Sequence, residues 1–322
     1  MNRRVLSYAP LLAVLGRAIA EPVLAIDADF PDPSIIQTES GYWAFATEGN
    51  GVNAQVATSP DFSTWTRLSG VDALPGPFPS WVDSSSPAIW APDVLVMPDG
   101  SFVMYFSAIT SNNTNLHCVG AATSWIPEGP YTPVDNYLAC PLEQGGAIDP
   151  DGFIDSDGTI YVVYKVDGDT LDNDGTTHST PIMLQKMESD GVTPTGDPIE
   201  LIDRSSIDGP LVEAPSLLLS NGIYYLSFSS NYYWTQSYDT SYAYATTITG
   251  PWTKQSSPYA PLLDTGVETR SSGPLSAPGG TDFLVDGTKI VFHADRNGQN
   301  ASDGRAMFVS EIREANDVIT LD

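Results

Sequence analysis

Positive charge is scarce in this chain. Thirteen Lys and Arg stand against 40 Asp and Glu, a formal net charge of −27. Such a surface repels phosphate backbones and anionic lipid, which excludes nucleic acid and membrane surfaces as partners. A neutral partner such as a carbohydrate is compatible with it. Cysteine is nearly absent, with only Cys118 and Cys140, so there is material for a single bridge. Past residue 20 no stretch is apolar for long enough to span a bilayer, and no long amphipathic helical pattern occurs.

Glycine (27), proline (26) and aromatic residues (10%) are plentiful, which predicts an all-β protein with many turns rather than a disordered chain. The length of 322 residues allows one large domain or two ordinary ones. No linker interrupts the pattern, so one domain is expected over 21–322. Before it, Arg3 and Arg4, the apolar run "VLSYAPLLAVLG" and the small residues "AIA" at 18–20 read as a secretory signal over residues 1–20. A secreted, extracellular protein is therefore expected, with Cys118 bonded to Cys140. The sequons at Asn112 and Asn300 agree with that route.

A repeat runs through the chain. The β-rich runs "GYWAFAT", "GSFVMYFSA", "GTIYVVYKV", "GIYYLSFSS" and "GTKIVFHAD" begin at Gly41, Gly100, Gly158, Gly222 and Gly287, spaced by 58 to 65 residues. Four of these glycines follow Asp or Asn, a strong hairpin signal. Each run has a second strand-rich partner downstream. Five units of about four strands each predict a five-bladed β-propeller. A pair of β-sandwiches would not give five near-equal steps.

Acids recur at one place in the repeat. Nine residues before the turn glycine lie Asp32, Asp149 and Glu213 in units one, three and four, within "FPDPS", "AIDPD" and "VEAPS". Asp93, in "WAPDV", is offset by two and reads as structural or supporting. The innermost strand of each blade lines the propeller axis, so equivalent positions converge there although some sixty residues apart. Carboxylates gathered at a concave centre repel one another, which drives their pKa values apart.

The stretches "DFPDPSII", "SSSPAIWAPDV", "GAIDPDGFIDSDGTIYVVYK", "PLVEAPSLLLSNGIYYLSFSS" and "YATTITGPWTK" resemble glycoside hydrolase family 43, the propeller-fold arabinanases, arabinofuranosidases and xylosidases. The likeness spans roughly residues 26–312. It implies Asp32 as the general base that activates water, Asp149 as the residue that orients and tunes the acid, and Glu213 as the general acid. Inverting hydrolysis needs one carboxylate and one carboxylic acid on opposite sides of the sugar ring. No cofactor is required for that chemistry. The resemblance further implies that His293 reaches a calcium or other ion on the propeller axis. Counting from the turn glycine aligns His293 with Phe106, Tyr164 and Phe228. His117 and His178 read as structural, and "DGDTLDNDG" as a turn, because it lacks the spacing of a full calcium loop.

Sugar sites need flat apolar faces and hydroxyl partners. Trp90, Phe45 and Trp81 are candidate platforms. Asn231 and Tyr232 are candidate hydroxyl contacts, and Arg296 is the candidate cation beside Asp32, ahead of Arg270. The "VEAPS" wording and the stretch "APGGTDFLVDGTKIVFHA" resemble arabinan-cleaving members. The expectation is an exo-acting, inverting α-L-arabinofuranosidase on α-1,5-linked arabinan or its oligosaccharides, a plant cell-wall substrate related to arabinoxylan. It is expected to act as a monomer. Endo-arabinanase and β-xylosidase are the alternatives within the family. A non-catalytic carbohydrate-binding propeller is the alternative of another class, and it need not keep all three acids.

Overall fold

Hairpin turns set the strand boundaries. Gly100, Gly158, Gly222 and Gly287 hold φ between 70° and 86°, a region closed to most L-residues, which is why Asp-Gly and Asn-Gly punctuate the repeat. The computed structural model describes residues 21–298 and 300–322; the leader expected over 1–20 lies outside them. The first strand is β1 (Val23–Ile26). Blade I follows with β2 (Ser34–Thr38), β3 (Gly41–Ala46), β4 (Gln55–Ser59) and β5 (Thr66–Arg67). Blade II holds β6 (Trp90–Val96), β7 (Phe102–Thr110), β8 (Asn113–Ser124) and β9 (Thr132–Ala139). Blade III holds β10 (Ala147–Ile154), β11 (Ile160–Val166), β12 (Ile182–Lys186) and β13 (Ile199–Ile202). Blade IV holds β14 (Val212–Ser220), β15 (Ile223–Ser230), β16 (Asp239–Ala245) and β17 (Thr253–Lys254). Blade V holds β18 (Gly279–Phe283), β19 (Lys289–Asp295) and β20 (Arg305–Ala315), with β21 (Val318–Leu321) paired beyond β20. The five-bladed propeller expected from the repeat is what forms. Strand β1 completes blade V by pairing with β20, Val23 opposite Val309, so the N-terminal segment closes the ring.

Apolar clusters fill the spaces between successive blades. Ile36, Phe45, Val94 and Met104 join blades I and II, and Ile26, Ile35, Val291 and Met307 join blades V and I. A shared irregularity on the inner strands positions everything at the axis. The inner strands of blades II to V each break register once: between Trp90 and Asp93, Ile148 and Asp151, Glu213 and Ser216, and Gly279 and Asp282. At the break one residue turns left-handed: Ala91 (φ 41°), Asp149 (55°), Ala214 (49°) and Gly280 (58°), with Asp32 (51°) equivalent in blade I. In the first four blades the next residue is proline, Pro33, Pro92, Pro150 or Pro215, which accounts for the acid–proline wording of the sequence.

This register corrects the count made from the turn glycines. Hairpin lengths differ, so Asp32 and Asp149 are true equivalents, but Glu213 stands one residue earlier, level with Trp90, Ile148 and Gly279. His293 likewise pairs opposite Gly279 as Ser107 pairs opposite Trp90. Its counterparts are Ser107, Lys165 and Ser229, not Phe106, Tyr164 and Phe228.

Two residues past the left-handed position, side chains clamp each blade to the next. Asp93 accepts from Gly152 N–H (2.8 Å), Asp151 from Leu217 N–H (3.0 Å), Ser216 from Phe283 N–H (3.1 Å) and Asp282 from Ile35 N–H (2.7 Å). Asp93, Asp151 and Asp282 thereby crowd within 4.8 Å of one another. Burial first, and mutual repulsion next, push Asp93 and Asp151 well above the ordinary carboxylate range, so protons are held inside this ring.

In blade II the disulfide forms as expected, joining Cys118 on β8 to Cys140 just past β9. Closing a loop of this length restrains the unfolded chain. The double variant Cys118→Ser/Cys140→Ser is expected to lose about 3 kcal/mol of stability by that loop-entropy relation, seen as a lower melting temperature in calorimetry. An unchanged melt would leave the bridge without a stabilising part.

Candidate active site

A pocket at one end of the axis is lined by Asp32, Thr47, Trp90, Ile148, Asp149, Glu213, Tyr233, Tyr238 and Arg305. The three acids read from the sequence therefore meet in one hollow. Asp32 and Asp149 reach it from left-handed positions, where a non-glycine residue is strained and must be held by its surroundings. The Asp32 N–H donates to His293 Nδ1 (3.1 Å), and the Asp149 N–H to Ser107 Oγ (3.0 Å).

Asp32 is built to stay ionised. Arg305 Nη1 donates to Oδ1 at 2.7 Å and Nη2 to Oδ2 at 3.3 Å, while Thr47 Oγ1 donates to Oδ2 at 2.6 Å. Burial alone pushes the carboxyl up. Arg305 with its neighbours outweighs that, and the group titrates below its ordinary range. Arg305 is oriented in turn by the face of Tyr233, 4.5 Å away. His293 is fully buried and pushed down to about 3, first by burial and then by Arg305. Its ring is neutral, and its 3.3 Å approach to Asp32 Oδ1 is no ion pair.

Asp149 Oδ2 accepts from Ala214 N–H at 3.0 Å. Burial first, then the facing Glu213, push Asp149 well above the usual carboxylate range, against the pull of Lys165. Glu213 Oε1 accepts from the Tyr238 hydroxyl (2.9 Å), and Oε2 accepts from Lys165 Nζ (3.1 Å). Asp149 thus tends to hold its proton beside Glu213, across the pocket from a carboxylate that stays ionised.

The other sequence-based assignments divide. Trp90 lines the pocket with 37% of its surface exposed, stacked at 3.7 Å on His117. Tyr232 lies in the rim loop and stacks on the exposed Trp234 at 4.5 Å. Phe45 does not reach the pocket: it is completely buried between blades I and II, edge-on to Tyr131. Trp81 is buried in the same cluster, stacked on Phe106. Both are core residues because they pack in the apolar cluster between blades I and II. Asn231 is a turn residue (φ 68°) whose Nδ2 donates to Ser237 O. Arg296 pairs with the exposed Asp27 at 2.7 Å, on a different cleft. The cation beside Asp32 is instead Arg305. Arg305 lies nine positions further along but opposite Asp295 across the β19–β20 hairpin, a pairing that sequence spacing did not reveal. Lys165 was missed too, although a lysine inside "IYVVYKV" is a legible signal, since a charge in a buried strand needs partners.

The ion contact that the resemblance implied for His293 runs largely through water, and the ring is not set up for a direct one. Nδ1 accepts the Asp32 N–H, so the neutral ring carries its hydrogen on Nε2 and has no free lone pair for a cation. "DGDTLDNDG" forms a short 3₁₀ turn over Gly168–Asp174, with His178 Nδ1 at 3.0 Å from Asp172.

The class follows from this architecture: a five-bladed propeller with an axial pocket that opposes a guanidinium-held carboxylate to a second pair of acids, Asp149 and Glu213. The model of Glycosyl hydrolases family 43 matches residues 19–318, and the chain belongs to that family. It is 29% identical over 282 residues to the extracellular endo-alpha-(1->5)-L-arabinanase 1 of Bacillus subtilis strain 168, covering 82% of this chain and 79% of that protein. It is 27% identical over 314 residues to the beta-D-galactofuranosidase xynD of Aspergillus niger, covering 90% and 82%. In fold it is similar to a thermostable family-43 glycoside hydrolase, with a TM-score of 0.74 at 24% identity over 91% of this chain and 93% of that one.

Proposed function

We propose that this chain is an exported, inverting α-L-arabinofuranosidase that removes terminal arabinofuranose from α-1,5-linked arabinan or its oligosaccharides. The observation that carries the reading is the opposed pair of environments: Asp32 held ionised by Arg305, and Glu213 coupled to a proton-rich Asp149. Asp32 takes a proton from water as the water oxygen bonds to the anomeric carbon. The glycosidic C–O bond breaks, and Glu213 gives its proton to the departing oxygen. Attack opposite to departure inverts the configuration. Asp149 holds its carboxyl between the Ala214 N–H and Glu213, which orients the acid. No step needs a metal.

A furanose ring is favoured because both relatives above carry names for furanoside cleavage, of arabinan or of galactofuranosides. Export is supported by the basic and apolar leader and by the extracellular relative. That relative also supports a second reading, internal cleavage of arabinan. The test is hydrolysis of 4-nitrophenyl α-L-arabinofuranoside against the β-D-xyloside, with chromatography of products from linear arabinan. Arabinose alone from the first minutes is the expected result. A ladder of oligosaccharides favours the internal cut, and no release from any pentoside or arabinan would sink the hydrolase reading.

Trp90 presents its open face to the pocket and is the proposed stacking platform. Trp90→Ala is expected to raise KM for arabino-oligosaccharides about tenfold, in line with the loss of ~1–1.5 kcal/mol of aromatic contact, with a smaller change in kcat. An unaltered KM would remove Trp90 from the binding surface.

A further inference from the structure

Blade III departs from the other four at one position. The residue opposite the inner-strand position of Glu213 and Trp90 is Ser107 in blade II, Ser229 in blade IV and His293 in blade V; Thr47 serves in blade I. Each of these side chains accepts the N–H of the next blade's left-handed residue: Thr47 from Ala91 (2.8 Å), Ser107 from Asp149 (3.0 Å), Ser229 from Gly280 (2.9 Å) and His293 from Asp32 (3.1 Å). In blade III the position is Lys165, opposite Ile148. An ammonium has no acceptor, so it cannot serve the Ala214 N–H. Asp149 takes that N–H instead. The ammonium is free to turn to the acid.

Lys165 is 1% exposed, and its ammonium lies among three carboxylates, Asp169 Oδ1 at 2.8 Å, Asp167 Oδ1 at 2.9 Å and Glu213 Oε2 at 3.1 Å, donating a hydrogen bond to the last. A buried lysine with no ionised partner would leave its charge uncompensated. Here Asp167 and Asp169 supply that partner, so Glu213 is not needed as the counter-ion of the ammonium.

We propose that Lys165, held by Asp167 and Asp169, is a positioning residue for the acid Glu213: it occupies Oε2 and so assigns the transferable proton to Oε1, beside the Tyr238 hydroxyl. This rests on the hydrolase reading above. An ammonium donates only, so Oε2 must face it with a lone pair. The proton then sits on Oε1, whose remaining lone pair accepts from the Tyr238 hydroxyl until the leaving oxygen arrives. When Oε1 gives the proton up, the new negative charge on Glu213 lies against Lys165. The ionisable groups facing Glu213 are Lys165 from β11, Asp167 and Asp169 just past β11, Asp149 from β10 and Tyr238 from the loop before β16, with Asp32 and Arg305 across the pocket.

The prediction has opposite signs for opposite charges. Lys165→Met removes a cation that favours ionised Glu213. The basic limb of the pH–kcat/KM profile is then expected to move to higher pH, with kcat down by about tenfold or more. Asp169→Asn removes an anion and is expected to move that limb to lower pH, by about half a unit or more. Lys165→Arg keeps the charge and is expected to hold the limb in place. Both losses are expected to be smaller with a 2,4-dinitrophenyl glycoside, which departs with little help from an acid. Folding is checked by circular dichroism. If Lys165→Met does not fold, Asp169→Asn and Asp167→Asn decide the matter alone. Limbs that coincide with that of the unmodified protein, or that move in the same direction for both charges, would overturn the assignment. If the unmodified protein hydrolyses no glycoside at all, the failure lies with the hydrolase reading and not with Lys165.

Discussion

Glu213→Gln is expected to lower kcat on arabino-oligosaccharides by about a thousandfold or more, with the melting temperature nearly unchanged. The amide keeps the shape and accepts from Lys165 through its oxygen, with its NH2 group toward Tyr238, but it has no acidic proton to give. The size of the loss depends on the leaving group. A sugar alkoxide needs its proton as the bond breaks, whereas dinitrophenolate does not, so the variant is expected to regain much of its rate on the dinitrophenyl glycoside. Asp32→Asn removes the base for the water. Its loss is expected to be as large and, unlike that of Glu213→Gln, not relieved by a better leaving group. Side-by-side kinetics on the two substrates separate the roles. If both variants respond alike to the leaving group, or either retains near-normal turnover, the assignment of base and acid fails.

Arg305→Met is expected to cost about a hundredfold in kcat/KM and to move the acid limb of the pH–rate profile upward. The sign follows from the environment of Asp32. Burial raises that carboxyl, and Arg305 is the first of the groups that bring it down below its ordinary value. Activity that needs ionised Asp32 is therefore present above that lowered pKa and lost as pH falls through it. Without the guanidinium, burial prevails and the loss begins at higher pH. Arg305→Lys keeps a charge but not the two-pronged contact, so an intermediate profile is expected. Arg296→Ala, which removes the surface pair with Asp27, is expected to leave the profile where it was. A fixed acid limb in Arg305→Met would show that Asp32 is not the group that titrates there.

Much of the fold was legible in the sequence because it rests on local chemistry. Asp-Gly and Asn-Gly turns recur with each blade, and alternating β-rich runs follow them. The three acids were legible for the same reason, since each lies within two residues of a proline at the start of an inner strand or within it. What could not be read depends on pairing across strands. Arg296 is adjacent to the blade V strand in sequence, yet Arg305 faces the axis because β20 returns antiparallel and sets it opposite Asp295. Phe45 and Trp81 look like sugar platforms in one dimension; only the packing of neighbouring blades shows that their faces are already covered. Counting from turns also mislaid the exact register, because the hairpins differ in length. That count hid the kinship of Lys165 with Ser107, Ser229 and His293.

The manner of ring closure has a consequence for synthesis. Val23–Ile26 leaves the ribosome long before its partners Met307–Val309. The same late segment delivers Arg305, whose carbonyl receives the Phe30 N–H at 2.8 Å and whose side chain grips Asp32. A nascent or prematurely terminated chain thus owns both carboxylates but lacks the guanidinium that readies one of them. Asp32 is therefore readied only once the segment that carries Arg305 has been made and has met the first strand.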